Sequence, residues 1–125
     1  MALTILLSTL YFSIGVGLVY AGLAFINGQL LPGLFGWFYD LMPSPFWRSF
    51  IASITIFLGA NYFNAKGYFM GGQAIGGPIY IVLLILGMVV SALLIDKTNL
   101  NGHIIGGVFV LVLGALWVVH GLRIG

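Results

Sequence analysis

The stretch PIYIVLLILGMVVSALLI, from Pro78 to Ile95, decides the fold. It carries no charged residue, and Asp96 and Lys97 follow it at once. A helix needs about 20 mostly apolar residues to cross a hydrocarbon layer of roughly 30 Å. This stretch meets that requirement. Working outward, three more runs qualify: 3–26, from Leu3 to Ile26; 46–65, from Phe46 to Ala65; and 103–122, from His103 to Leu122. The charged residues of the chain are Asp40, Arg48, Lys66, Asp96, Lys97 and Arg123, and all fall at or beyond the ends of these runs. The expected fold is an all-α integral membrane protein. It is a single domain over 1–125, with four transmembrane helices and a short interfacial segment between helices 1 and 2.

The composition agrees. Hydrophobic residues make up 62% of the chain and charged residues 5%, against roughly 25% charged in soluble domains. A water-soluble fold would lack the polar surface to cover itself. The 19 glycines suit membrane helices, which tolerate Gly more than soluble ones do. There is no Cys, so neither a disulfide framework nor a thiolate metal site can form. The formal charge of +2 comes from too few groups to make a basic patch, so no nucleic-acid partner is expected. The first run lacks a Lys or Arg ahead of it and is longer than a signal core, so it is read as a retained span.

The first connection, Asn27 to Pro45, holds Leu34, Phe35, Trp37, Phe38, Tyr39, Leu41 and Met42. It is too short to span, and Trp and Tyr favour the headgroup level. It is expected as a short helix or loop lying on the bilayer, ended by Pro43 and Pro45, with Pro45 in the first turn of the next helix. The second connection, 66–77, contains Gly67, Gly71, Gly72, Gly76 and Gly77 and is read as a loop or a flexible lead-in to the third helix. The third, 96–102, is a short polar turn in which Asn99 or Asn101 caps the fourth helix. Four spans place Lys66 and Arg123 on one side and Arg48 and Lys97 on the other. Two against two gives no orientation by the positive-inside rule. Equal counts fit either chance or copies inserted both ways.

Small residues recur at seven-residue spacing. Gly107, Gly114 and Gly121 form one stripe along the fourth run, and Ser8, Gly15 and Gly22 form another along the first. Gly87 and Ser91 stand four apart in the third. In lipid, helices associate by close packing, which small residues permit. The stripe at Gly107, Gly114 and Gly121 is expected either to pack helices within one subunit or to be a subunit interface.

An ionisable residue inside the membrane is a functional signal. The chain has no Glu, and both Asp residues fall in connections. No carboxylate is placed to carry a proton through the bilayer. The milder polar groups Ser8, Tyr11, Tyr20 and Tyr80 are expected to line a weakly polar, aromatic cavity. The alternative for each hydroxyl is a bond to its own helix backbone. His103 and His120 stand at opposite ends of the fourth run and cannot share one metal. Lys66 before Gly67 has the wrong order for a phosphate loop. No catalytic residue, metal or cofactor is expected, and the chain is not read as an enzyme.

The second half resembles the last two helices of the drug/metabolite transporter superfamily, whose short four-helix members include the small multidrug resistance proteins. The resemblance rests on Gly76-Gly77-Pro78 through Asp96, then Leu100 to Gly107 and on to Leu113-Gly114, and covers roughly 67–122. It implies an antiparallel homodimer held partly by the last helix, with substrate between first helices. The family's substrate-binding Glu in the first helix is missing here, around Tyr11 to Gly15. The first connection is also longer than theirs. Proton-coupled cation export is not implied. Two functions are expected in its place. One is a small membrane transporter-like protein moving a small organic or lipid-linked solute as a homodimer or with a paralogous membrane partner, in the plasma (inner) membrane of a prokaryote. The other is a non-transporting accessory subunit of a larger membrane complex.

Overall fold

Ser8, Gly15 and Gly22 share one face of a helix, because seven residues are nearly two turns. The computed structural model describes residues 2–95 and 97–124, and it puts this face at the centre of the molecule. All three residues are buried in α1 (Ala2–Ile26). They lie against α4 (Ile56–Leu94). A Cβ at Gly22 would lie 2.6 Å from the Phe57 ring, and one at Gly15 would collide with the Asn64 side chain. From the opposite side Gly67 admits Phe12, since a Cβ there would lie 2.8 Å from that ring. Phe12 is 0% exposed. Close approach through small residues replaces the hydrophobic drive that lipid does not supply.

The order of these contacts gives chain direction. Going from Gly22 to Gly15, Phe12 and Ser8, the partners are Phe57, Asn64, Gly67 and Gly71, so the helices run antiparallel. Farther along α4 the order inverts. Phe12 meets Gly76, whereas Val16 and Tyr20 meet Gly87. The Tyr20 hydroxyl donates to the Leu84 carbonyl at 2.7 Å. Residues 57 and 84 therefore lie at nearly the same level of α1, although a straight helix would separate them by about 40 Å. The chain doubles back between them. It does so at Gly72, where φ is 70° and ψ is 177° inside an otherwise helical run. That region is open to Gly and nearly closed to other residues. α4 is thus a helical hairpin, with one arm over residues 56–71 and the other over 73–94.

The connections are helical too. After α1, Leu31 takes φ 42° and α2 (Pro32–Leu41) begins on a proline. α3 (Pro45–Ile54) also begins on a proline and ends at Thr55, where φ is −129° and ψ is −80°. The Ser53 and Thr55 hydroxyls donate back to Ser49 and Ile51 carbonyls at 2.9 and 2.6 Å, a pattern that bends helices. Phe25, Tyr39 and Ala52 bring α1, α2 and α3 into one cluster. α5 (Gly102–Ile124) starts with the Asn101 side chain accepting from the Ile104 N–H at 3.1 Å. It lies against α4, and Pro78 and Val82 of the second arm border one space with Val112 and Ala115 of α5.

Three helices are long and apolar enough to cross a membrane: Ala2–Ile26, Ile56–Leu94 and Gly102–Leu122. Large apolar side chains project outward along them, as with Phe69 at 82% and Trp117 at 77% exposure. A bilayer solvates such a surface and water does not. The chain is an integral membrane protein of helices. The first run, the short helix after it and the Asn101 cap match the sequence reading. The second and third runs do not stand apart with a Gly-rich loop between them. The run 46–65 is broken at Thr55, and residues 66–77 are helical on both sides of Gly72. One residue outside helical geometry suffices to reverse the chain, so Gly67, Gly71 and Gly76 serve close packing rather than a loop, and a Cβ at Gly77 would meet nothing within 4 Å. Asp96, expected in the third turn, lies outside the described residues, as does the side chain of Arg123.

Candidate functional site

A groove along α1 follows from the same close approach of helices. Val16 and Tyr20 contact Gly87 on the second arm of α4. Alongside that contact the two helices line a groove of about 330 Å³. Ser13, Gly17, Tyr20, Leu83, Gly87 and Ser91 are among its lining residues, and Leu30 and Ile95 stand at its end. A Cβ at Gly17 would meet nothing within 4 Å, so this glycine widens the groove without being needed for packing. The Tyr20 hydroxyl is held by Leu84, and the Ser13 hydroxyl donates to the Thr9 carbonyl at 2.7 Å. The groove therefore offers aliphatic walls with the hydroxyls of Ser13 and Tyr20 from α1 and Ser91 from α4, and no charged lining residue. It can take an alkyl or prenyl chain, and it has no group with which to hold a bare ion.

The four residues expected to share a cavity are not brought together. Ser8 is buried at 0% exposure and donates to the Gly67 carbonyl at 2.9 Å, so it ties helices together. Tyr11 stacks on Phe63, 6.3 Å between ring centroids. Tyr80 packs on Phe12 and Tyr68, at 5.0 and 5.7 Å. Tyr20 alone of the four lines the groove. Helical phase explains the scatter, because Tyr11 and Tyr20 stand nine residues apart, two and a half turns, and point to opposite sides.

Gly107, Gly114 and Gly121 are all exposed, and a Cβ at any of them would meet nothing within 4 Å. The stripe does not pack helices within this subunit. By contrast the Gly87–Ser91 pair borders the groove, with Gly87 also seating Tyr20. His103 and His120 are exposed at opposite ends of α5. Among the described residues no three His, Asp or Glu side chains gather into a metal-binding group.

Two features escape the sequence reading. Arg48 is 9% exposed, with its Nε donating to the Ile26 carbonyl at 2.8 Å and Nη1 to the Met42 carbonyl at 3.4 Å. It also sits 5.8 Å from the Tyr39 ring centroid. A positive charge here meets the carbonyl ends of α1 and α2, where helix dipoles are negative. Asn64 has its Oδ1 buried beside Gly15 without a hydrogen-bond partner. No local motif marks either residue. Only the pairing of helices does. Comparison with family models, curated proteins and solved structures finds no match.

Proposed function

We propose that this chain is a four-pass protein of a prokaryotic plasma membrane that moves a small, largely apolar organic or lipid-linked solute. In this reading α1, the two arms of α4 (the first with α3) and α5 are the passes. The protein acts as a homodimer or with a paralogous membrane partner. One observation carries the reading: the groove beside Tyr20 and Gly17, which is apolar, hydroxyl-edged and open to the side. A lateral opening admits a lipid-like chain from the bilayer. Its lining gives nothing to a hydrophilic ion, which fits the absence of Glu from the chain. The superfamily resemblance in the second half points the same way.

The test is transbilayer movement of a fluorescent prenyl-phosphate probe in vesicles holding only this protein. Gly17→Leu puts a side chain into the groove, and its Cβ would meet nothing within 4 Å. Movement in the unaltered protein, reduced about tenfold or more by Gly17→Leu, supports the proposal. A wild-type rate equal to protein-free vesicles counts against it.

A second reading, a non-transporting accessory subunit, draws on α5. No residue described there is buried, and its glycine stripe is exposed with no neighbour within 4 Å of a Cβ. A stoichiometric larger partner in mild detergent, together with no flux by the isolated chain, favours this reading.

A further inference from the structure

The first arm of α4 packs Asn64 against Gly15 and Gly67 against Phe12 of α1. Its opposite face carries Leu58, Tyr62, Ala65 and Phe69, all exposed. Their spacing is four, three and four residues. This is the a/d spacing of a left-handed helix–helix seam, with Tyr62 and Phe69 at a and Leu58 and Ala65 at d. Leu58, Tyr62 and Phe69 are 60%, 57% and 82% exposed. Ala65 is the small member, and the space over it, bounded by Tyr62, Lys66 and Phe69, measures about 360 Å³. A seam with a hole of this kind takes a knob from another helix. Nothing among the described residues fills it.

Lys66 fixes the chemistry of the occupant. It stands at e, beside the seam, where charges set partner choice. Its neighbour Gly67 packs on Phe12, which is about 15 Å along α1 from Ala2 and about 21 Å from Ile26. Lys66 is therefore level with the middle of α1, not with either end. Helical side chains lean toward the N-terminus of their helix, and here Nζ lies 5.9 Å from the Tyr62 ring centroid, one turn farther from the hairpin tip. A lone ammonium at this depth is costly, and such residues pair. The chain cannot supply the carboxylate. It has no Glu, Asp40 belongs to α2 beside the Arg48 end, and the sequence puts Asp96 after α4. A second copy laid on the same seam would oppose two lysines. A phosphate of the lipid headgroups stays at the membrane edge.

We propose that this face docks a membrane-spanning helix of a different protein, with an Asp or Glu at mid-membrane paired to Lys66 and a side chain seated over Ala65. The proposal does not depend on the transport reading. It is tested in the membranes of the source cells by replacing Leu58 or Phe69, one at a time, with benzoylphenylalanine and sequencing the photoadducts. The expected product is one partner whose crosslinked peptide is a membrane span holding an Asp or Glu. Its yield falls about tenfold or more with Lys66→Met and survives Lys66→Arg, as for a desolvated charge pair. Among the described residues Lys66 donates no hydrogen bond, so Lys66→Met is expected to leave the fold intact, and an unchanged elution profile verifies this. Adducts only with lipid, adducts with a second copy, a partner span without an acid, or a yield indifferent to Lys66→Met would each overturn the proposal.

Discussion

Ser8 donates a 2.9 Å hydrogen bond to the carbonyl of Gly67, joining α1 to the first arm of α4 inside the apolar part of the fold. The bond exists because Gly67 has no side chain to hold the helices apart. Ser8→Ala removes the donor and leaves the carbonyl to its own helix. In lipid such a bond is worth roughly 0.6–1.7 kcal/mol. Reversible unfolding in mixed micelles should show a loss of that size, with the helical content of the folded state unchanged.

Glycines in this chain separate into two kinds by what a methyl group would meet. At Gly67 it would lie 2.8 Å from the Phe12 ring, whereas at Gly114 it would meet nothing within 4 Å. Gly67→Ala should cost about 1–3 kcal/mol by overpacking. Gly114→Ala should stay within roughly 0.5 kcal/mol, as for a surface change. The same unfolding assay compares them. Gly114→Leu adds a second readout: reduced self-crosslinking, at unchanged stability, assigns the α5 stripe to contact between copies.

That division marks how far the sequence could be read. Apolar runs bounded by charges are visible because the bilayer imposes length and polarity on each span. The stripe at Ser8, Gly15 and Gly22 was visible as a period of seven, and it proved to be the packed centre. The equal stripe at Gly107, Gly114 and Gly121 has the same period and opposite surroundings, because periodicity does not say which helix faces it. Residues 66–77 looked like a loop because they hold five glycines. Four of the five permit packing or leave space, and only Gly72 turns the chain. Of Ser8, Tyr11, Tyr20 and Tyr80 only Tyr20 lines the groove, because residue type does not give helical phase.

Arg48 holds three segments at one end of the molecule. It donates to Ile26 at the end of α1 and to Met42 after α2, and it is itself part of α3. Arg48→Met strips two buried carbonyls of their charged donor. The expected cost is about 2–4 kcal/mol, since hydrogen bonds to charged groups exceed neutral ones. The effect should be local first. Hydrogen exchange over residues 27–44 should quicken before that of α1, and equal protection in both proteins would argue against a clamp.

Tyr39 gives the same region a dependence on pH. Its hydroxyl donates to the Leu30 carbonyl at 2.5 Å. Burial pushes its pKa above the ordinary 10.0, with the nearby Arg48 charge pulling the other way. A raised value means that the docked state prefers the neutral phenol. The stabilisation is complete below pH 10.0 and is lost as pH climbs through the higher folded value. Trp37, on the same short helix, can report undocking by fluorescence. The transition should appear only on the alkaline side and should vanish in Tyr39→Phe.

Gly72 is the residue on which the hairpin depends. At φ 70° and ψ 177° an L side chain is strained even though a Cβ there would meet nothing within 4 Å. Gly72→Ala should therefore cost about 1–3 kcal/mol through backbone geometry alone. A control separates this from packing. D-Ala at the same position, introduced by peptide ligation, places its Cβ where that geometry is relaxed, because the mirror image of these angles is an ordinary extended conformation. D-Ala should recover native stability, and it should recover the proximity of Phe57 and Leu84 measured between spin labels on the two arms. If L-Ala and D-Ala behave alike, the reversal is held by the contacts of Phe12 with Gly67 and Gly76 rather than by the turn.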